Sequence, residues 1–94
     1  MTVTKENKVF LEGLIEYYIS EAQSYREMAQ EYSLKIDSVP DTTFGIIVGC
    51  IYSSFLQTYS NQKLTPTVQD VQEFTEIIMM KSRAIMDAIK GQNN

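Results

Sequence analysis

The sequence predicts an all-α fold: a three-helix antiparallel bundle with a long first helix, dimerising into a larger helical bundle. Three observations lead there. Apolar residues in the first third recur at helical steps, two proline-bearing breaks cut the chain into three segments, and the last segment carries helix signals at both ends. With 94 residues, 44% hydrophobic and 21% charged, residues 1–94 suit a single helical domain with a small core.

The first helix is expected over residues 4–36. Leu11, Ile15, Tyr18, Ala22, Tyr25, Ala29, Tyr32 and Ile36 follow one another at steps of four and three, the apolar seam of a heptad repeat. At about 1.5 Å per residue such a rod would be roughly 50 Å long. The alternation of Tyr with Ala lets a ring on one helix sit over a small residue of an antiparallel neighbour. Phe10, Leu14, Tyr17 and Met28 widen the stripe enough for contacts on two sides.

The second helix is expected over residues 42–61, after a break at Ser38-Val39-Pro40-Asp41, because proline disfavours the α region at Val39. From Phe44 to Tyr59 the segment is apolar nearly all round, the pattern of a helix surrounded by protein. Gly45, Gly49 and Ser53 recur every four residues and form a smooth strip for close helix packing. Each glycine weakens a soluble helix by up to about 1 kcal/mol relative to alanine, so close packing is expected to offset that cost. A strand here is set aside, since clean alternation is absent and no second strand candidate exists to pair with. The nearly apolar run from Phe44 to Leu56 falls short of the roughly 20 residues that span a bilayer, so no membrane association is expected.

The third helix is expected over residues 66–90. Thr65-Pro66 has the cap-then-proline order that opens a helix, and Thr67 with Asp70 offers a competing capping box. Gly91 stands where a C-terminal glycine cap belongs, and residues 91–94 are expected to fray. Val71, Phe74, Ile78, Ile85 and Ile89 form the inward stripe, while Met79, Met80 and Met86 spread apolar surface beyond it.

Composition narrows the chemistry. The formal charge of −4 works against a phosphate backbone, so nucleic acid is not an expected partner. No histidine is present, which removes the usual general base near neutral pH and the commonest metal ligand. Glu12 with Glu16 and Glu27 with Glu31 pair carboxylates on single helix faces, and a solvated acidic face explains them better than a metal site. Cys50, the single cysteine, reads as a small packed side chain, and with no signal-peptide core at the N-terminus it points to the cytoplasm. No catalytic, cofactor or metal site is expected, and the chain is not read as an enzyme.

A rod of that length outruns the two shorter helices, leaving its seam exposed as a patch of the kind that marks an interface. A homodimer through Leu11, Ile15, Tyr18, Ala22, Tyr25, Ala29, Tyr32 and Ile36 is therefore expected, since two-fold dimers are the commonest closed assembly. The functional expectation is an interaction, regulatory or assembly module that also binds an unidentified protein partner. The alternative is a small-molecule or lipid-binding bundle with a cavity lined by Tyr52, Phe55, Tyr59 and the methionines. A nucleic-acid-binding regulator ranks last.

Overall fold

The computed structural model describes residues 3–91, which form four helices: α1 (Lys5–Ser20), α2 (Ala22–Gln30), α3 (Val39–Asn61) and α4 (Val68–Lys90). The fold is all-α as the sequence predicts, with four helices in place of three. The expected rod over 4–36 is broken near its middle. Ser20 turns its hydroxyl back onto the Tyr17 carbonyl at 2.6 Å, a bond that competes with the helix ladder and bends it. Glu21 then leaves the helical region with ψ of 11°, though its N–H still reaches Tyr17 O at 3.1 Å.

The rod also ends early. After Gln30 the chain tightens into turns closed three residues back, from Tyr32 to Ala29 at 3.0 Å and from Lys35 to Tyr32 at 2.8 Å. Leu34, 96% exposed, shows that no neighbour rewards further helix there. The longest dimension of the molecule is accordingly 40 Å.

Helix α3 begins earlier than expected, because proline costs nothing at the first helical positions, where the N–H would lack a partner anyway. Ser38 caps it, its Oγ accepting from the Asp41 N–H at 3.1 Å. At its other end Leu64 N–H returns to Tyr59 O at 2.9 Å and Lys63 N–H to Ser60 O at 3.0 Å, the two bonds of a Schellman cap. That cap holds Lys63 at φ 59°, a left-handed position usually given to glycine.

Helix α4 resolves the competition between caps in favour of Thr67. Asp70 N–H donates to Thr67 Oγ1 at 3.1 Å and Thr67 N–H donates to Asp70 Oδ2 at 2.8 Å. Gly91 closes it with φ 73°, as expected from the sequence. Residues 92–94, expected to fray, lie outside the described residues.

Hydrogen bonds fix the helix directions. Val3 N–H meets Glu73 Oε1 at 3.2 Å, and Gln23 Nε2 meets Ala88 O at 2.7 Å, so α1 and α2 follow α4 from start to end. Asn7, near the start of α1, joins Gln62, just past the end of α3, through paired amides at 3.3 and 3.0 Å. Helix α3 therefore runs against α1, and it touches all three other helices. The core lies between them, with Leu11, Ile15, Ile47, Ile51, Phe55, Ile85 and Ile89 withdrawn from solvent.

Candidate interaction surface

The seam expected as a dimer interface lines this chain's own core along most of its length. Leu11, Ile15, Ala22 and Ala29 are at most 1% exposed within the single chain. Tyr18 and Tyr25 pack on the core half-buried, their rings 5.4 Å apart. Burial, reinforced by Tyr25 and Cys50 close by, pushes the Tyr18 hydroxyl above its ordinary value. Tyr32 and Ile36 stand apart, beyond the end of α2, with Tyr32 59% exposed. The bend at Ser20–Glu21 explains the burial: it redirects the second half of the seam onto α3, where a straight rod would have run past its neighbours.

Helix α3 has the opposite fate. It buries Thr43, Ile47, Ile51, Phe55 and Tyr59, every fourth residue, and turns Gly45, Gly49 and Ser53 to solvent. A Cβ placed on Gly45 or Gly49 would meet no atom within 4 Å apart from the adjacent residues and backbone of its own helix. Among the described residues, then, nothing packs closely on the expected strip. The two mid-helix glycines cost α3 about 1 kcal/mol each without any return inside this chain.

Beside the strip runs an open groove of about 430 Å³, walled by Phe44, Val48 and Tyr52 of α3 and by Val71 and Thr75 of α4, with Phe74 at its floor. The two glycines belong to its lining, so their missing side chains give it width. Of the most apolar 18-residue stretch of α3, 22% is buried. By length and composition this helix suffices to cross a membrane, because its full 23 residues exceed the apolar run read from the sequence. The signal that could have found this face was available: no charged residue stands between Asp41 and Lys63.

The cavity expected around Tyr52, Phe55 and Tyr59 is filled. Phe74 enters from α4, its ring 5.0 Å from Tyr52 and 4.9 Å from Phe55, while Phe55 lies 5.0 Å from Tyr59. Met86 packs against the core, and Met79 and Met80 project into solvent. The remaining singled-out residues have local roles. Glu12, Glu16, Glu27 and Glu31 are all exposed, Cys50 is half-buried, and Arg83 meets Asp87 at 3.9 Å on the surface, too exposed to add much stability.

One polar cluster escaped the sequence reading. Asn7 and Asp70 are buried where the ends of α1, α3 and α4 meet, and the Tyr59 hydroxyl lies beside them, shut off from water. Burial first, and then the negative charge of Asp70, push the Tyr59 pKa above its ordinary value. The amide pair and the capping box tie three helix ends together, which is a structural task. Asn7 gives no sequence signal for it, since a single amide in a first helical turn is ordinary.

No family model matches this chain, and comparison with curated proteins and with solved structures finds no match.

Proposed function

We propose that this protein is a helical protein–protein interaction module working as a homodimer in a regulatory or assembly role, without catalysis of its own. An uncovered apolar helix supports the reading: α3 carries no charge between Asp41 and Lys63, only 22% of its most apolar stretch is buried, and Gly45, Gly49 and Ser53 face solvent. Sedimentation velocity over a dilution series from high micromolar to nanomolar concentration tests the reading. A mass of two chains falling to one on dilution is expected, and a one-chain mass throughout refutes it.

The α3–α4 groove favours a second reading, a small-molecule or lipid-binding bundle whose ligand lies against Phe44, Val48 and Tyr52. Native mass spectrometry of the purified protein separates the two. A constant extra mass on each chain supports the ligand, and bare chains in pairs support the interaction module.

A further inference from the structure

We infer that the break at Ser20–Glu21 is a hinge through which two copies of this chain exchange α1. In the dimer α1 and α2 join into one straight helix, and α1 docks on the α3 and α4 of the second copy. This inference rests on the homodimer reading and says how the two chains hold each other.

The break is one residue wide and lacks the caps found at the other helix starts. Glu21 opens α2 without a side-chain hydrogen bond, whereas Ser38 and Thr67 cap α3 and α4 with theirs. No basic residue stands in the last turn of α1 and no acidic one in the first turn of α2, so neither helix dipole is matched there. Glu21 is already close to helical, its ψ of 11° lying about 50° from the helical value. Two bonds of an unbroken helix survive across it, Glu21 N–H to Tyr17 O at 3.1 Å and Tyr25 N–H to Glu21 O at 3.4 Å. Straightening gives the N–H groups of Ala22, Gln23 and Ser24 the carbonyls of Tyr18, Ile19 and Ser20, four residues back. The local sequence therefore favours a continuous helix, and packing on α3 and α4 is what bends it.

The second copy is the occupant because it carries the matching part. When α1 swings out, it uncovers the places filled by Leu11 and Ile15, both fully buried, and those where Asn7 meets Gln62 and Val3 meets Glu73. The α1 of a second chain fills them with the same contacts, and the exchange is reciprocal, which closes the pair about a two-fold axis. Helix α2 stays on its own bundle, held by Gln23 and Arg26 on the end of α4. Exchange thus repeats existing contacts and adds an unbroken ladder to each chain, against the entropy lost in bringing two chains together.

Proline tests this, because it fits the bent chain and not the straight one. Gln23 is the second residue of α2, the place Pro40 takes in α3, where a helix start has no use for the N–H. In the joined helix the same ring would meet the Ile19 carbonyl and delete its bond. Proline in a helix interior costs a factor of about a hundred, once in each chain, so Gln23→Pro should weaken the dimer at least about a thousandfold in sedimentation equilibrium. Circular dichroism should show its helix content kept. Gln23→Ala loses the same side chain and should dimerise as wild type does. A Gln23→Pro dimer as tight as that of Gln23→Ala overturns the exchange and leaves the homodimer reading standing, whereas a wild-type chain that stays single overturns both. If Gln23→Pro does not fold, a distance decides. Spin labels at Glu6→Cys and Gln30→Cys, on a Cys50→Ala background diluted with unlabelled chain, should lie about 36 Å apart in the dimer, the rise of about 24 residues of straight helix, and closer in the monomer. The same distance in both overturns the hinge.

Discussion

The sharpest stability prediction concerns the end of α4, which α2 holds by two side chains. Gln23 Nε2 donates to Ala88 O at 2.7 Å and Ile89 O at 3.1 Å, and Arg26 Nη1 donates to Ile89 O at 2.9 Å. Ala88 O also accepts from the Gly91 N–H at 3.2 Å, whereas Ile89 O lies in the last turn with no later turn of the helix to serve it, and a cation there also meets the negative end of the helix dipole. A hydrogen bond from a charged donor contributes about 1.5–3 kcal/mol and a neutral one about 1 kcal/mol. Arg26 is only half-buried and Gln23 is exposed, which places both at or below the low end of those ranges. Gln23→Ala with Arg26→Ala should therefore cost about 2 kcal/mol in all, of the order of a fifth of the stability of a chain this size. The measurement is urea unfolding followed by circular dichroism, at one fixed protein concentration so that any self-association does not shift the midpoint. Because α2 is too short to stand alone, its amides and those of the last turn of α4 should exchange fastest in the double variant. A double variant within about 0.3 kcal/mol of wild type would refute the latch, since the groups would then be as well satisfied by water.

Three further outcomes follow from particular positions. Lys63→Gly relieves a left-handed lysine in the α3 cap and should stabilise the fold by about 1 kcal/mol, read as a rise of roughly 4–8 °C in melting temperature; no rise would mean the cap tolerates a side chain without strain. Phe55→Ala empties the centre of the aromatic cluster and should cost about 3–5 kcal/mol in urea unfolding, and a loss below about 1 kcal/mol would show that the site collapses freely. Tyr59 carries a raised pKa, so the folded state holds its proton more tightly than the unfolded state does. Its contribution is complete below the ordinary value of about 10 and is lost as pH rises through that value toward the folded one. The fall in stability from about pH 8 to about pH 11 should thus be shallower in Tyr59→Phe than in wild type, and parallel curves would refute the assignment.

The sequence carries the end of α3 and both ends of α4, and loses the break between α1 and α2, the end of α2 and the start of α3. Thr67 with Asp70, Gly91, and the polar stretch after Tyr59 are local signals whose chemistry acts within four residues, so they survive folding unchanged. The heptad seam was equally visible, and it remains in phase through the break, which is why Leu11, Ile15, Ala22 and Ala29 all reach the core. Phase says nothing about axis. A serine that bonds back to its own helix bends the rod without disturbing the spacing of its apolar residues, and Ser20 was the only local hint. The α3 start differs for a related reason: a residue before proline disfavours the α region, yet Pro40 sits in the first turn of α3, where proline is tolerated and the helix begins at Val39. The polar cluster of Asn7, Tyr59 and Asp70 depends on three helix ends meeting, which no one-dimensional pattern records.

The bend also decides where uncovered surface ends up. A helix apolar all round requires neighbours on every side, and this chain has only α1, α2 and α4 to supply them. Had the first rod stayed straight, its far end would have extended past the bundle, carrying Tyr25 and Ala29 into solvent as the sticky element. Folding that end back onto α3 buries Ala29 and shelters Tyr25, but it adds the new contact to the inward side of α3, next to the face already occupied by α1 and α4. The outward side, with Gly45, Gly49 and Ser53, gains nothing from any of the three. The apolar surplus is thereby moved off a seam of alternating large and small residues onto a strip with almost no side chains.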